Sequence, residues 1–157
     1  MLSIINDILD LSKIEAGKME LIETAYDAYS EMDNIRVIIE NRIGDKPITL
    51  NYDIDDKFPP ILYGDVIRIR QVLINLLNNA VKFTEAGYIT LGVKVLSKGE
   101  ENIDLEISVT DTGVGIRQED LEKLFDEFKQ LDIKSNLGKE GTGLGLAISS
   151  QLIDLMG

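Results

Sequence analysis

The most constraining feature of this 157-residue chain is a helical pattern that runs from Asp65 to Val81. Its apolar side chains recur every three or four residues, which predicts an amphipathic helix with one buried face. This apolar set comprises Ile69, Val72, Leu73, Leu76, Leu77 and Ala80. Asn75, Asn79 and Lys82 share another stripe at positions i, i+4 and i+7. Because amides inside a protein need hydrogen-bond partners, the stripe predicts either a polar network in the core or one wall of a polar pocket.

Further helices and strands surround this helix in the sequence. Helical spacing predicts helices over residues 2–16, 29–42, 118–125 and 143–156, and alternation predicts strands over residues 18–24, 48–54, 88–96 and 102–110. A turn at residues 98–100 joins the last two strands into a hairpin, whereas Pro59-Pro60 and the polar stretch 129–141 indicate loops. This mixed order predicts an α+β fold, a two-layer α/β sandwich over a mixed sheet with a short N-terminal helix.

The composition excludes several kinds of chemistry. The chain has no cysteine and no histidine, so disulfides, Ser-His-Asp triads and histidine-ligated zinc sites are ruled out. Its net charge of −12 argues against nucleic-acid binding. No apolar stretch approaches the ~18 residues that cross a bilayer, so we expect a cytoplasmic chain without membrane contact. A membrane anchor elsewhere in a longer parent protein stays an open alternative.

Two glycine clusters suggest ligand contacts. Asp111 to Gly115 follows a predicted buried strand, where the Asp111 carboxylate could accept a hydrogen bond from an amine such as that of adenine. Gly141 to Gly145 leads into an apolar helix, where small residues let backbone amides approach phosphate oxygens. Neither cluster fits the P-loop or the dinucleotide-binding pattern. Glycines that merely form turns are the alternative interpretation.

The polar helix stripe has matching chemistry. The amide oxygens of Asn75 and Asn79 are hard ligands of the kind that Mg²⁺ accepts, and this ion takes few protein donors. Lys82 would add a point charge for phosphate.

Four ordered motifs resemble the boxes of sensor histidine kinases. Residues 71–84 (QVLINLLNNAVKFT) resemble the N box, Asp111 to Ile116 (DTGVGI) the G1 box, residues 124–128 (LFDEF) the F box and Gly141 to Leu146 (GTGLGL) the G2 box. Residues 10–17 (DLSKIEAG) resemble the end of the second dimerisation helix in hybrid-type members. The resemblance spans nearly the whole chain and implies the Bergerat-type ATP-binding fold of the GHKL superfamily.

The resemblance implies roles for the N box residues. Asn79 would hold the Mg²⁺ that bridges the ATP phosphates, with Asn75 near its water shell. Lys82 would contact phosphate and Phe83 would pack near the nucleotide. ATP-hydrolysing relatives carry a glutamate general base where this chain has Asn75, and an amide cannot accept that proton. We therefore expect Asn75 and Lys82 to serve phosphoryl transfer to a side chain rather than to water.

The glycine motifs and the segment between them receive roles in the same way. Asp111 would recognise the adenine amine, and the backbone at Gly113, Gly115 and Ile116 would close around the base. Residues 129–140 would form an ATP lid. The residues implied at the phosphates are Gly141, Thr142, Gly143, Leu144, Gly145 and Leu146. The lid residues implied near the nucleotide are Lys134 or Lys139, with Phe125 and Phe128 at the base of the lid or, equally well, in the core.

The expected organisation follows from these motifs. Residues 1–17 would end a dimerisation and phosphotransfer helix, and residues 18–157 would form the ATP-binding domain. The family's phosphoacceptor histidine and two final strands have no counterpart here, so we expect a fragment truncated at both ends. It would bind Mg-ATP and donate the γ-phosphoryl group to a histidine on the absent dimerisation helix, for relay to an aspartate of a response-regulator receiver domain. The parent would be a homodimer.

Three other interpretations stay open. The chain could be a nucleotide-sensing module that has lost phosphoryl transfer, or a serine kinase like the related anti-sigma kinases. It could also be a soluble α/β domain whose glycines only form turns. The N-terminal helix could likewise cap the domain's own core instead of continuing a dimerisation helix.

Overall fold

The computed structural model describes residues 2–121 and 143–157. Its elements, in chain order, are α1 (Leu2–Glu15), β1 (Thr24–Asp27), α2 (Ala28–Ile43), β2 (Ile48–Ile54), β3 (Ile61–Gly64), α3 (Val66–Phe83), β4 (Gly87–Lys98), β5 (Ile103–Asp111), α4 (Gln118–Leu121) and α5 (Gly145–Met156). Among these residues, no helix combines the length and the hydropathy needed to span a bilayer.

The helices predicted over residues 2–16, 29–42, 65–81 and 143–156 and most predicted strands are confirmed. The long helix, the strand over residues 48–54 and the hairpin of β4 and β5 form where the periodicity indicates them. The last helix begins two residues after Gly143. The described part of the helix predicted over residues 118–125 is Gln118–Leu121. The predicted loop over residues 129–141 lies outside the described residues.

The strand predicted over residues 18–24 is wrong. The strand is Thr24–Asp27, which pairs with β3, a strand that the sequence analysis missed. A strand needs a neighbour for its backbone groups, and the amide of Ile22 instead donates to the Asp65 carboxylate at 2.9 Å. β3 has only four residues after Pro59-Pro60, so it is too short to give a clear alternation.

The chain divides into two compact units. Unit 1 comprises Met1–Glu23, Asp65–Asn75 and Ile116–Gly157, and unit 2 comprises Thr24–Gly64 and Leu76–Gly115.

Unit 2 contains both sheets. β2 runs parallel to β4, with Ile48 opposite Gly87, and β4 runs antiparallel to β5, with Val93 opposite Ile107. The three strands form a sheet in the order β2-β4-β5, and β1 and β3 form a separate antiparallel pair. Parallel and antiparallel pairing within one sheet confirms the predicted mixed sheet of an α+β fold.

The core of unit 2 follows from the two periodicities. Ile35 and Ile39 are fully buried on α2, at helical spacing. Ile89, Leu91 and Val93 are fully buried on β4, at the period of two that places them on one face of the sheet.

In unit 1, α1 packs against α5. Among residues 5–15 of α1, Leu11 is buried, whereas Ile5, Ile8 and Leu9 are exposed. Asp65 forms the N-cap of α3, because its Oδ1 accepts hydrogen bonds at 3.1 Å from the backbone amides of the second and third helical residues.

Candidate functional site

The last turns of α3 in unit 2 carry three of the predicted site residues. Asn79, Lys82 and Phe83 are half-buried, and Asn79 and Lys82 lie three residues apart on one helix face. The ammonium of Lys82 lies 5.0 Å from the centroid of the Phe83 ring, which is within cation–π range. This end of the helix therefore presents an amide and a cation close together.

The loop after β5 carries the second group in unit 2. Asp111 is the last residue of the strand and is exposed. Its Oδ1 accepts a hydrogen bond from the amide of Gly113 at 2.8 Å, the turn that aspartate side chains form with their own backbone. One carboxylate oxygen thus shapes the loop, and a carboxylate has further lone pairs for another donor.

The helix end and this loop contact each other directly. The amide of Val114 donates to the carbonyl of Phe83 at 3.3 Å. A Cβ at Gly113 would contact the Phe83 carbonyl oxygen and lie 2.9 Å from its carbon. Gly115 adopts a φ of +70°, which favours glycine. Glycine at position 113 therefore allows the loop to approach the backbone that follows Asn79 and Lys82.

Asn75 belongs to unit 1, where its side chain contacts α5. Its Nδ2 donates a hydrogen bond to Oγ of Ser149 at 2.8 Å. A Cβ at Gly145 would contact Oδ1 of Asn75 and lie 2.9 Å from its Cγ. The amide of Asn75 thus takes part in a polar contact between two helices of unit 1.

Residues 143–145 are the described part of the second glycine cluster, and they lead into α5. Gly143 adopts a φ of +73°, and Leu144 is almost fully buried. The carbonyl of Leu144 accepts from the amide of Ile148 at 2.9 Å, which starts the helical hydrogen bonding. Leu144 is the N-cap residue of α5, and its apolar side chain supplies no capping hydrogen bond; Leu146 is half-buried.

Several predicted site residues have no described surroundings. Ile116 is exposed at the start of the last segment of unit 1. The predicted residues that lie outside the described ranges are Phe125, Phe128, Lys134, Lys139, Gly141 and Thr142.

Two residues that contact the site elements were missed. Ser149 is buried together with Ala147, Ile148 and Leu152 of α5, and a hydroxyl on this apolar face of the helix could have identified it. Lys46 donates to backbone carbonyls at the end of α3. Because its acceptors are backbone atoms, its sequence position gave no signal.

Comparison with known proteins is consistent with this arrangement. Residues 64–157 match the family model described as histidine kinase-, DNA gyrase B- and HSP90-like ATPase. Over the whole chain, identity is 43% to hybrid signal transduction histidine kinase B of Dictyostelium discoideum and 37% to signal transduction histidine-protein kinase BarA of Escherichia coli K12. The chain spans 8% and 17% of the lengths of these two relatives.

A solved structure shares the fold over the same extent. The structure of full-length ShkA in complex with AMPPNP superposes with a TM-score of 0.81 and 32% identity, covering 99% of this chain and 31% of that one. The family match covers more than half of the chain and includes the site helix, the loop after β5 and the start of α5. The chain therefore belongs to the family of histidine kinase-, DNA gyrase B- and HSP90-like ATPases.

Proposed function

We propose that this chain is the ATP-binding catalytic part of a two-component sensor histidine kinase. It binds Mg-ATP and donates the γ-phosphoryl group to a histidine on a dimerisation helix. The observation that carries this proposal is the contact between Phe83 and Val114, which joins the amide-bearing helix end to the loop that begins with Asp111. The similarity to hybrid histidine kinases over the full chain supports the choice of reaction.

Asp111 is proposed to read the adenine base. The exocyclic amine of adenine donates hydrogen bonds, and the exposed Asp111 carboxylate accepts them while its Oδ1 holds the amide of Gly113. The close approach at Gly113 keeps the loop against α3, with Gly115 and Ile116 following in the same segment. Guanine presents an acceptor where adenine presents this donor, so the carboxylate would select against GTP.

Asn79 is proposed as the protein ligand of Mg²⁺. Among residues 2–121 and 143–157, no group of three or more acidic, histidine or cysteine side chains could hold a metal ion. The proposed ligand is the amide oxygen of Asn79, which suits an ion that keeps most of its waters and is bound largely through substrate phosphates. Bound Mg²⁺ would neutralise phosphate charge during transfer.

Lys82 and the start of α5 are proposed to bind the phosphates. Lys82 lies three residues after Asn79, with its ammonium near the ring of Phe83, and a lysine acts on phosphate as a point charge. Backbone amides at the beginning of a helix also favour anions. The proposed set comprises Gly141, Thr142, Gly143, Leu144, Gly145 and Leu146, with Lys139 and Phe128 of the lid segment.

Asn75 is proposed to keep the site from hydrolysing ATP. An asparagine amide cannot act as general base for water, and its Nδ2 is bonded to Ser149. Because water is not activated, the phosphoryl group remains available for a protein acceptor.

The acceptor is proposed to lie on another polypeptide segment. This chain has no histidine, so the phosphorylated histidine would belong to dimerisation helices of a homodimeric parent, and a receiver-domain aspartate would take the group next. Residues 1–17 would end the dimerisation region and residues 18–157 would form the ATP-binding domain. We propose a cytoplasmic reaction because ATP and the receiver domain are both found there.

Transfer in trans tests the proposal. The purified chain is mixed with γ-labelled Mg-ATP and a separate dimerisation-helix pair from a hybrid histidine kinase relative. We expect acid-labile, alkali-stable label on the acceptor pair and none on the chain itself. Asn79→Ala should abolish the labelling, whereas Asn34→Ala, an exposed asparagine of α2, should retain it. Acid-stable label on serine, or ATP binding without any transfer, would contradict the proposed reaction.

A further inference from the structure

Lys46 forms hydrogen bonds with the C-terminal end of α3. It lies in the short segment between α2 and β2, and its Nζ donates to the carbonyl of Val81 at 2.8 Å and to the carbonyl of Thr84 at 3.0 Å. Its side chain is 32% exposed, and the carboxylate of Glu85 lies 3.9 Å from the ammonium. The ammonium is therefore directed at backbone atoms of a helix end that carries proposed site residues.

The end of a helix needs such a donor. The last carbonyls of an α-helix have no intrahelical partner and carry partial negative charge, so a lysine is favoured there. Charged donors also form stronger hydrogen bonds than neutral ones. Thr84 is fully buried, and its hydroxyl has no hydrogen-bond partner among the described residues.

The backbone around Lys46 is itself held in place. The amide of Lys46 donates to the carbonyl of Ile43 at 3.1 Å. The carbonyl of Pro47 accepts from the amide of Gly87 at 3.0 Å, next to the first residue pair of β2 and β4. The ammonium thus extends from a segment that is fixed to α2 on one side and to the sheet on the other.

The two carbonyls that Lys46 contacts flank Lys82 and Phe83. The carbonyl of Phe83, which lies between them in sequence, accepts from the amide of Val114. Gly113 approaches the same carbonyl so closely that a Cβ would collide with it. Any movement of this helix end would therefore move the Phe83 carbonyl, which holds the loop that begins with Asp111.

We propose that Lys46 is a positioning residue for the nucleotide site. It fixes the last turn of α3 and, through Phe83, the loop after β5, without contacting the nucleotide. An ammonium has three N–H donors; two bond the carbonyls, and the Glu85 carboxylate lies 3.9 Å from the ammonium, so the Lys46 ammonium is engaged with this helix end rather than with phosphate. This inference rests on the proposed ATP binding.

Substitutions at Lys46 test two effects separately: the position of the loop after β5 and the affinity for ATP. Lys46→Met removes the donors while keeping the length of the side chain, and Lys46→Arg keeps a cation with several N–H groups. Lys94→Met is the matched control, since Lys94 is an exposed lysine of β4 in the same unit. For each variant, the amide resonances of Gly113 and Val114 are recorded without nucleotide, and Mg-ATP affinity is measured by calorimetry.

We expect Lys46→Met to shift both amide resonances and to lower ATP affinity about tenfold, because small displacements in a binding site are costly. Lys46→Arg should restore most of the affinity, and Lys94→Met should match the unsubstituted chain. If Lys46→Met unfolds, Lys46→Gln, which keeps an uncharged donor, is compared in its place. Unchanged resonances together with unchanged affinity would overturn the role of Lys46 while ATP binding stands. Failure of the unsubstituted chain to bind ATP would instead overturn the proposed function.

Discussion

The side-chain amide of Asn75 and the hydroxyl of Ser149 lie 2.8 Å apart and join α3 to α5. Ser149 is only 4% exposed, so loss of Asn75 leaves the Ser149 hydroxyl without this hydrogen bond and away from water. This relationship gives the first N box asparagine a structural task in addition to the role proposed for it in phosphoryl transfer.

The Asn75–Ser149 hydrogen bond should be measurable as a coupling. We expect Asn75→Ala and Ser149→Ala each to lower the free energy of unfolding by about 1 kcal/mol. The double variant should lose less than the sum, since both substitutions remove the same bond. Urea unfolding of the four proteins in the cycle provides the measurement. Strict additivity would show that the two side chains do not interact in solution.

Gly113→Ala should displace the loop after β5. The new Cβ would collide with the backbone carbonyl of Phe83, which cannot rotate away as a flexible side chain could. Such overpacking costs about 1–3 kcal/mol of folding stability. Because the displaced loop carries Asp111 away from its proposed contact with the base, we expect ATP affinity to fall about tenfold, which corresponds to about 1.4 kcal/mol. Gly99→Ala is the control, because in the β4–β5 turn its Cβ would have no neighbour closer than 3.4 Å. Equal ATP affinities in the two variants would refute the importance of this close approach.

The pair of Asp10 and Arg68 should stabilise unit 1. The carboxylate and the guanidinium lie 2.9 Å apart, with side chains 16% and 23% exposed, and Gln71 donates to the same carboxylate oxygen at 3.0 Å. Removing one partner leaves a partly buried charge uncompensated, so we expect Asp10→Ala to cost about 1–3 kcal/mol of unfolding free energy.

The matched control for this pair is Lys94 with Glu106, whose side chains are 68% and 53% exposed at 3.8 Å. Exposed ion pairs contribute about 0–1 kcal/mol, so Lys94→Ala should have a much smaller effect. Thermal or urea unfolding distinguishes the two. A loss for Asp10→Ala no larger than that for Lys94→Ala would show that the link from α1 to α3 adds no stability.

Tyr52 should make stability fall at high pH. Burial raises the pKa of Tyr52 from 10.0 to about 12, with the Arg36 guanidinium opposing this shift and the carboxylates of Glu40 and Asp33 adding to it. Because the folded chain holds the phenol neutral, its contribution to stability is complete below pH 10.0 and is lost as the pH rises toward 12. Over that pH interval, the unfolding free energy of the unsubstituted chain should therefore fall relative to that of Tyr52→Phe. A pH-independent difference would contradict the raised pKa.

Periodic burial explains which parts of the fold could be predicted from the sequence. α2, α3 and β4 each bury one face, and β2 and β5 each half-bury one. That face leaves a visible spacing of apolar residues in the sequence. β3 is too short to show such a spacing, and the position of β1 depends on its pairing with β3 rather than on its own composition.

The contacts around the site depend on tertiary neighbours and were therefore harder to predict from the sequence. Asn79, Lys82 and Asp111 could be identified as candidates because their residue types contrast with the elements that carry them. The bond between Asn75 and Ser149 joins residues 74 positions apart, and Lys46 contacts backbone carbonyls. Neither relationship produces a local pattern, since the partner is brought close only by the fold.

Calorimetric titration of the unsubstituted chain with ATP, in the presence and absence of Mg²⁺, tests the central claim most directly. We expect saturable, magnesium-dependent binding. The affinity should fall at least tenfold in Asn79→Ala and in Asp111→Ala, because each variant loses one metal contact or one charge-assisted hydrogen bond. Asp111→Ala should also lose the preference for ATP over GTP. Asn34→Ala should bind like the unsubstituted chain. Undiminished affinity in both site variants, or no binding by the unsubstituted chain, would contradict the proposed nucleotide site.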